Sequence, residues 1–148
     1  MLIAVNAGNS RVLLGGYEED GQVFSASIAT EPKLTRDDYA CKLQQVLLLY
    51  GVNVRRIHGG IVSSVVPSMV GVLEGALRLL GIRDVIEVSS GVKTGLNIRS
   101  EQPRQVGSDR VAAAVAARAK GKLPCVAITL GTATTFTALD GSGALVGS

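Results

Sequence analysis

Apolar and polar positions alternate in short blocks over the first thirty residues. Leu2 to Val5, Arg11 to Gly16 and Gln22 to Ala29 each read as a strand. The first two are joined by the turn Asn6-Ala7-Gly8-Asn9-Ser10. The period then changes. Thr35 suits an N-cap, Asp37 and Asp38 favour a first helical turn, and Leu43, Val46, Leu47 and Tyr50 recur at helical spacing up to the stop at Gly51. His58 to Val66 reads as a buried strand ending in small polar residues. Pro67 and Ser68 open a second helix that runs through Leu73, Leu77 and Leu80 to Gly81. Asp84 to Val88 is a further strand, and Asp109 to Lys120 an alanine-rich third helix stopped by Gly121. From Lys122 the opening theme returns: a strand, a small-residue turn at Gly131-Thr132-Ala133-Thr134, a strand, and a turn at Asp140-Gly141.

The repeated turn changes the picture. Taken singly, each is an ordinary β-turn as readily as a ligand loop. As a pair, each in a strand-rich unit, they could offer backbone N–H groups and hydroxyls to one polyphosphate from two sides of a cleft.

Composition narrows the class. The 148 residues, long enough for one domain or for one domain and part of another, are 47% hydrophobic with 18 glycines and 3% aromatics, a profile of a packed α/β protein and not of a disordered chain. The net charge of +3 comes from scattered basic residues with no run longer than Arg55-Arg56, which argues against a nucleic-acid surface and leaves room for an anionic small ligand. Cys41 and Cys125 both sit in apolar sequence without a CxxC pair and read as buried, reduced thiols. The N-terminus enters a strand without a basic leader, and no apolar stretch is long enough to span a bilayer, so the expectation is a soluble, cytoplasmic protein with no membrane contact. His58, the single histidine, has no clustered partner and reads as structural or exposed.

Four blocks, in order, resemble the type III pantothenate kinases of the acetate kinase, sugar kinase, Hsp70 and actin superfamily. VNAGNS resembles their DxGNT phosphate loop and IVSSVVPSM their (I/V)SSVVP strand end. GVKTGLNIRSEQPRQVGSDR resembles their GVKTGL…P…GxDR stretch, and LGTATTF their DFGTATTF. The resemblance implies ATP-dependent phosphorylation of pantothenate to 4′-phosphopantothenate, with Mg2+ and a monovalent cation such as K+ or NH4+. It implies an α/β, ribonuclease-H-like (actin-like ATPase) fold, with a mixed sheet and helices on both faces. One such domain would cover 1–120, and 121–148 would hold the first strands of a second.

The same resemblance assigns roles. Asp109 matches the acid of GxDR that serves as base; read from residues alone it is equally a helix cap. Arg110 suits the substrate carboxylate or an ion pair with Asp109, and Gly107, Ser108 and Ser100 join it on the substrate side. Asn6, Gly8, Asn9 and Ser10 match one ATP-phosphate loop, and Gly131, Thr132 and Thr134 the other. Lys93 and Thr94 are ligand contacts or loop-forming residues in equal measure.

Three positions depart from the pattern. Asn6 replaces the acid of DxGNT, Thr129 the acid of DFGTATTF beside the cation position, and Ser100 a tyrosine that packs over pantothenate. Family subunits also continue well past the second phosphate hairpin. The expectation is a subunit that keeps the pantothenate side and relies on a partner, a second copy or a longer kinase-like chain. The alternative is a catalytically inactive regulatory or binding protein.

Overall fold

Strands β1 (Leu2–Ala7), β2 (Arg11–Glu18) and β3 (Gly21–Ala29) form an antiparallel meander. Helix α1 (Arg36–Leu49), strand β4 (Gly59–Ser64), helix α2 (Pro67–Leu79) and strand β5 (Val85–Glu87) follow. The sheet order is β3-β2-β1-β4-β5; β1 is antiparallel to β2 and parallel to β4, so the sheet is mixed. These elements make up the first of two compact units, Met1–Glu87 and Val88–Ser148, in a computed structural model that describes residues 1–148.

Local chemistry explains the boundaries. The Thr35 hydroxyl accepts from the Asp38 N–H at 3.3 Å, and an Asp38 carboxylate oxygen accepts from the Thr35 N–H at 2.9 Å, a reciprocal capping box that starts α1. Gly51, at φ +66°, takes the left-handed conformation that ends it. Strand β4 stops at Ser64, earlier than the apolar run suggests. The Ser64 hydroxyl bonds both the N–H (3.0 Å) and the C=O (2.8 Å) of Val66 and turns the chain into α2. Strand β1 runs two residues longer than predicted. Ala7 is fully buried and pairs with both Val12 and Ser64, so the ladder carries Asn6 inside the strand rather than in the turn.

Alternation decides which face is covered. Ile3, Val5 and Ala7, with Val12, Leu14, Phe24 and Val62, pack in one core with Tyr39, Leu43 and Leu47 of α1 and Met69, Leu73 and Leu77 of α2. The opposite face carries Leu2, Leu13, Tyr17, Val23, Ile61 and Ile86, all exposed. Both helices of this unit therefore cover the same side of its sheet.

The second unit holds helix α3 (Ser108–Ala119) and an antiparallel sheet of β6 (Cys125–Thr129), β7 (Thr135–Leu139) and β8 (Leu145–Gly147) in that order. Val111 and Ala114 of α3 pack with Val88, Val106, Leu139 and Leu145. That packing ties α3 to the strands after it within the compact unit Val88–Ser148. Strand β8 is not legible in the glycine-rich sequence, yet Leu145 is fully buried. One face of this sheet is covered by α3, while Val126, Ile128 and Phe136 stand exposed on the other, with Ile128 directly opposite Phe136.

The cysteines differ from expectation. Cys41 is exposed and Cys125 half-buried. On α1 the buried stripe is Tyr39, Ala40, Leu43 and Leu47, and the helical rotation carries residue 41 to the solvent side. His58 is exposed, with ring nitrogens 3.3 Å from the Met1 amino group.

Candidate functional site

In the first unit the candidate phosphate loop is framed from β3. The Thr30 hydroxyl donates to the Gly8 carbonyl at 2.9 Å, the Thr30 N–H to the Ser10 carbonyl at 3.0 Å, and the Gly8 N–H to the Arg11 carbonyl at 2.9 Å. Asn9 and Ser10 are exposed. Asn6 lies on the open sheet face, in register with Leu13 on β2 and Ser63 on β4. The sequence block IVSSVVP contains Ser63, but only the parallel register reveals it as the neighbour of Asn6.

In the second unit two of the candidate substrate-side residues, Ser100 and Arg110, line one cavity of about 390 Å³ together with Gln102, Gln105, Val106 and Ser148 among others. Backbone bonds position Ser100. The Leu145 N–H donates to the Asn97 carbonyl at 2.8 Å and the Arg99 N–H to the Leu145 carbonyl at 2.7 Å, strapping Asn97–Arg99 along β8. The Ser100 hydroxyl oxygen is buried and has no partner in the protein. Such a group is costly unless something entering the cavity satisfies it. Arg110 extends from the first turn of α3 to donate to the Ser148 hydroxyl at 3.3 Å. Gly107 is the N-cap of α3, and a Cβ placed there would lie 2.6 Å from an Asp109 carboxylate oxygen, so the glycine gives that carboxylate its room. Ser108 is the first residue of α3.

Two contacts outside the predicted set hold this framework. The Arg118 guanidinium donates to the carbonyl of Gly95 in the GVKTGL loop and lies along Gly143, where a Cβ would meet its Nε at 3.1 Å. Gly143 also has a φ of +79°, which favours glycine. Thr94 serves its own loop, its hydroxyl accepting from the Leu96 N–H at 3.3 Å, and Lys93 is exposed. The second contact is the Asp140 turn. Its carboxylate accepts from the Ser142 hydroxyl (2.6 Å) and from the N–H groups of Ala144 (3.0 Å) and Ser142 (2.8 Å), with Arg99 3.7 Å away. The Ser142 hydroxyl, first among these, holds the Asp140 carboxyl below its usual range. A carboxyl depressed in the folded state stabilises fully above its unfolded pKa, and that contribution is lost as pH falls through the lowered value. The Ser142 and Ala144 amide resonances should therefore shift together in an acid titration, with a midpoint below that of an ordinary aspartate. A midpoint at or above the ordinary value would contradict the turn.

Thr129 ends β6 opposite Thr135, and Gly131, Thr132 and Thr134 are exposed in the β6–β7 connection. Ser100 and Arg110 are thus brought to one cavity, with Gly107, Ser108 and Asp109 beside Arg110 in sequence. The two candidate phosphate loops belong one to each compact unit. Gln102, Gln105 and Ser148 line the cavity without having been singled out, because nothing local in the sequence marks amides and a hydroxyl as neighbours across forty residues.

The donors can be tested against Mg2+, which takes one or two carboxylates together with phosphate oxygens and water. Asn6 has Leu13 and Ser63 beside it, and Thr129 has Thr135; neither position has a carboxylate in its ladder. No group of three His, Cys, Asp or Glu side chains able to hold a metal occurs in the chain. The residues at these two loops do not fit a divalent cation.

Comparison with known proteins decides the family. The model of the type III pantothenate kinase family matches residues 2–148. The chain belongs to the type III pantothenate kinase family. A type III pantothenate kinase of Syntrophotalea carbinolica is 38% identical over 143 residues, covering 97% of this chain and 56% of the relative, so the chain spans little more than half that relative's length. Among solved structures, YeaZ from Pseudomonas aeruginosa aligns over 99% of this chain and 64% of its own, with a TM-score of 0.51 at 16% identity. A protein of Porphyromonas gingivalis assigned as an N-acetylglucosamine kinase aligns over 95% of this chain and 45% of its own, with a TM-score of 0.53 at 16% identity. At that identity the likeness concerns the fold alone, which is the α/β fold of the actin-like ATPases. No helix of this pantothenate kinase relative is long and apolar enough to cross a membrane.

Proposed function

We propose that this chain takes part in the ATP-dependent phosphorylation of pantothenate to 4′-phosphopantothenate, the first step of coenzyme A synthesis, as one subunit of a working kinase. The observation that carries this reading is the cavity in the second unit, where an unpartnered buried hydroxyl at Ser100 and the Arg110 guanidinium line the same space. A substrate with one carboxylate and several hydroxyl and amide groups meets both needs: the carboxylate on Arg110 and a polar group on Ser100. The S. carbinolica relative, named a type III pantothenate kinase, supports the same chemistry.

In the proposed reaction the substrate hydroxyl attacks the γ-phosphorus of ATP as the bond to the leaving ADP breaks. Asp109 takes the hydroxyl proton, while Arg110 fixes the far end of the substrate and Gly107 and Ser108 border it. Asn6, Gly8, Asn9 and Ser10 in one unit, and Gly131, Thr132 and Thr134 in the other, are assigned to ATP phosphates. Thr129 retains an oxygen, but no charge, at the position assigned to K+ or NH4+.

Loss of two acids makes the chain a poor kinase by itself, because charge developing on the transferring group lacks its stabilisers. The partner is taken to be a second copy or a longer kinase-like chain that supplies those acids. The exposed apolar faces in both units support the need for a partner. The purified chain is expected to bind pantothenate in calorimetry and to give little or no ADP-coupled turnover. Turnover by the chain alone at ordinary kinase rates would remove the subunit reading, and failure to bind pantothenate would remove the pathway assignment. A second reading, a regulatory or binding protein without catalysis, is favoured by Asn6 and Thr129. It predicts pantothenate binding with no gain in turnover when a longer family member is added.

A further inference from the structure

The open face of the five-stranded sheet carries a row of side chains of which the reaction above uses only Asn6. Register places Ser27 of β3, Leu13 of β2, Asn6 of β1 and Ser63 of β4 side by side. Paired residues point to the same face of a sheet, and residues two apart on a strand share that face, so Arg11 belongs with this row. Its guanidinium is anchored at the β3 end: Nε donates to the Ser27 hydroxyl at 2.8 Å and Nη2 to the Ser27 carbonyl at 3.3 Å. A guanidinium has more N–H donors than those two bonds use, arranged as a fork that matches phosphate.

Arg11 follows Ser10 directly, and its carbonyl closes the loop on the Gly8 N–H. It has no carboxylate partner: the ion pairs of the chain are Arg36–Asp37, Lys42–Glu31, Arg56–Glu18 and Arg99–Asp140. Glu31, which follows the loop-framing Thr30, is already held by Lys42 at 3.1 Å. The loop is therefore flanked by an uncompensated cation, in the same unit where Asn6 offers a neutral amide to its ligand. Asn6 and Ser27 are two strand spacings, about 10 Å, apart, with Arg11 on the strand between them.

We propose that Arg11 is a phosphate-binding residue of this chain and supplies the neutralising charge that a divalent cation would otherwise bring, so that the Asn6–Ser10 loop binds nucleotide equally with and without Mg2+. The inference rests on reading this loop as a nucleotide-phosphate loop. An acid at position 6 would bring a metal to the phosphates, whereas an amide at 6 with a guanidinium at 11 that has no carboxylate partner meets phosphate oxygens directly.

Isothermal titration of the full chain with ATP, once in excess EDTA and once in excess Mg2+, tests this. The two affinities are expected to agree within about threefold. Arg11→Gln should weaken ATP binding in EDTA by roughly tenfold or more, the scale of one charge-assisted contact, and Arg11→Lys should recover part of the loss. Arg11 is exposed, so its variants should fold, and circular dichroism checks this. Asn6→Asp should make binding favour Mg2+. Wild-type binding that strengthens more than roughly tenfold with Mg2+, or an Arg11→Gln chain that binds as wild type, overturns the proposal. So does a chain that binds pantothenate but no ATP in either condition, an outcome that leaves the substrate cavity standing. A chain that binds neither overturns the proposed function as well.

Discussion

Asp109→Asn in an active complex should lower turnover by about two to four orders of magnitude while leaving ATP affinity close to wild type. Asparagine keeps the size of the side chain and its place at the start of α3 but accepts no proton from an attacking hydroxyl. Gly107 leaves the space into which the carboxylate folds, and the amide occupies that space without strain. The cavity lined by Ser100 and Arg110 should stay intact, so pantothenate affinity should change little. The measurement is a pair: steady-state turnover of the complex, and calorimetric affinities for ATP and pantothenate. Wild-type turnover by the mutant complex would mean that the base comes from the partner chain. Loss of pantothenate binding in step with turnover would reduce Asp109 to a structural cap.

Leu73→Ala should destabilise the first unit by about 2–5 kcal/mol. Leu73 is fully buried on α2, within the core that joins both helices to β1, β2 and β4. The lost contacts leave a hole that neighbours on a paired sheet cannot close. Leu49→Ala is the control, since Leu49 is 81% exposed at the end of α1 and should move stability by no more than about 0.5 kcal/mol. Urea unfolding followed by circular dichroism compares the two. Equal midpoints for Leu73→Ala and wild type would contradict the packing of α2 on the sheet.

How far the sequence reads depends on how local the cause is. The meander β1–β2–β3 follows from alternation, and α1 from the Thr35–Asp38 box, because both signals lie within a few residues of the structure they specify. Extension of β1 through Asn6 is not local: it follows from Ala7 being buried between Val12 and Ser64, a partner fifty-seven residues away. Strand β8 is three residues long, too short to carry a period, and it forms because Leu145 fills the space beneath α3. Cys41 looks buried because its neighbours are apolar, yet helical geometry separates residue 41 from residues 40 and 43. In the candidate site, Asp109 and Arg110 are legible through a motif. The cavity is not, since it needs Ser148 beside Arg110 and Ser100 strapped to β8. Arg11 is also invisible to a motif, because its meaning lies in which face of β2 it occupies.

The place of β1 at the centre of its sheet sets an order of events during synthesis. One edge of β1 meets β2 after a loop of three residues, Gly8 to Ser10, whereas the other waits for β4, which arrives only after β3 and the whole of α1. At usual ribosomal rates of ~5–20 residues per second, the free edge of β1 is unpaired for several seconds while that stretch is made. Its N–H and C=O groups are then a template for any extended chain nearby, and the apolar residues Ile3, Val5 and Ala7 line its inner face. The capping box of α1 is built from contiguous residues, Leu43 and Leu47 belong to the core on the inner face of β1, and the whole of α1 is made before β4. Helix α1 is thus available to cover a half-built sheet, and weakening Thr35 is expected to cost more in yield from the ribosome than in stability of the finished chain.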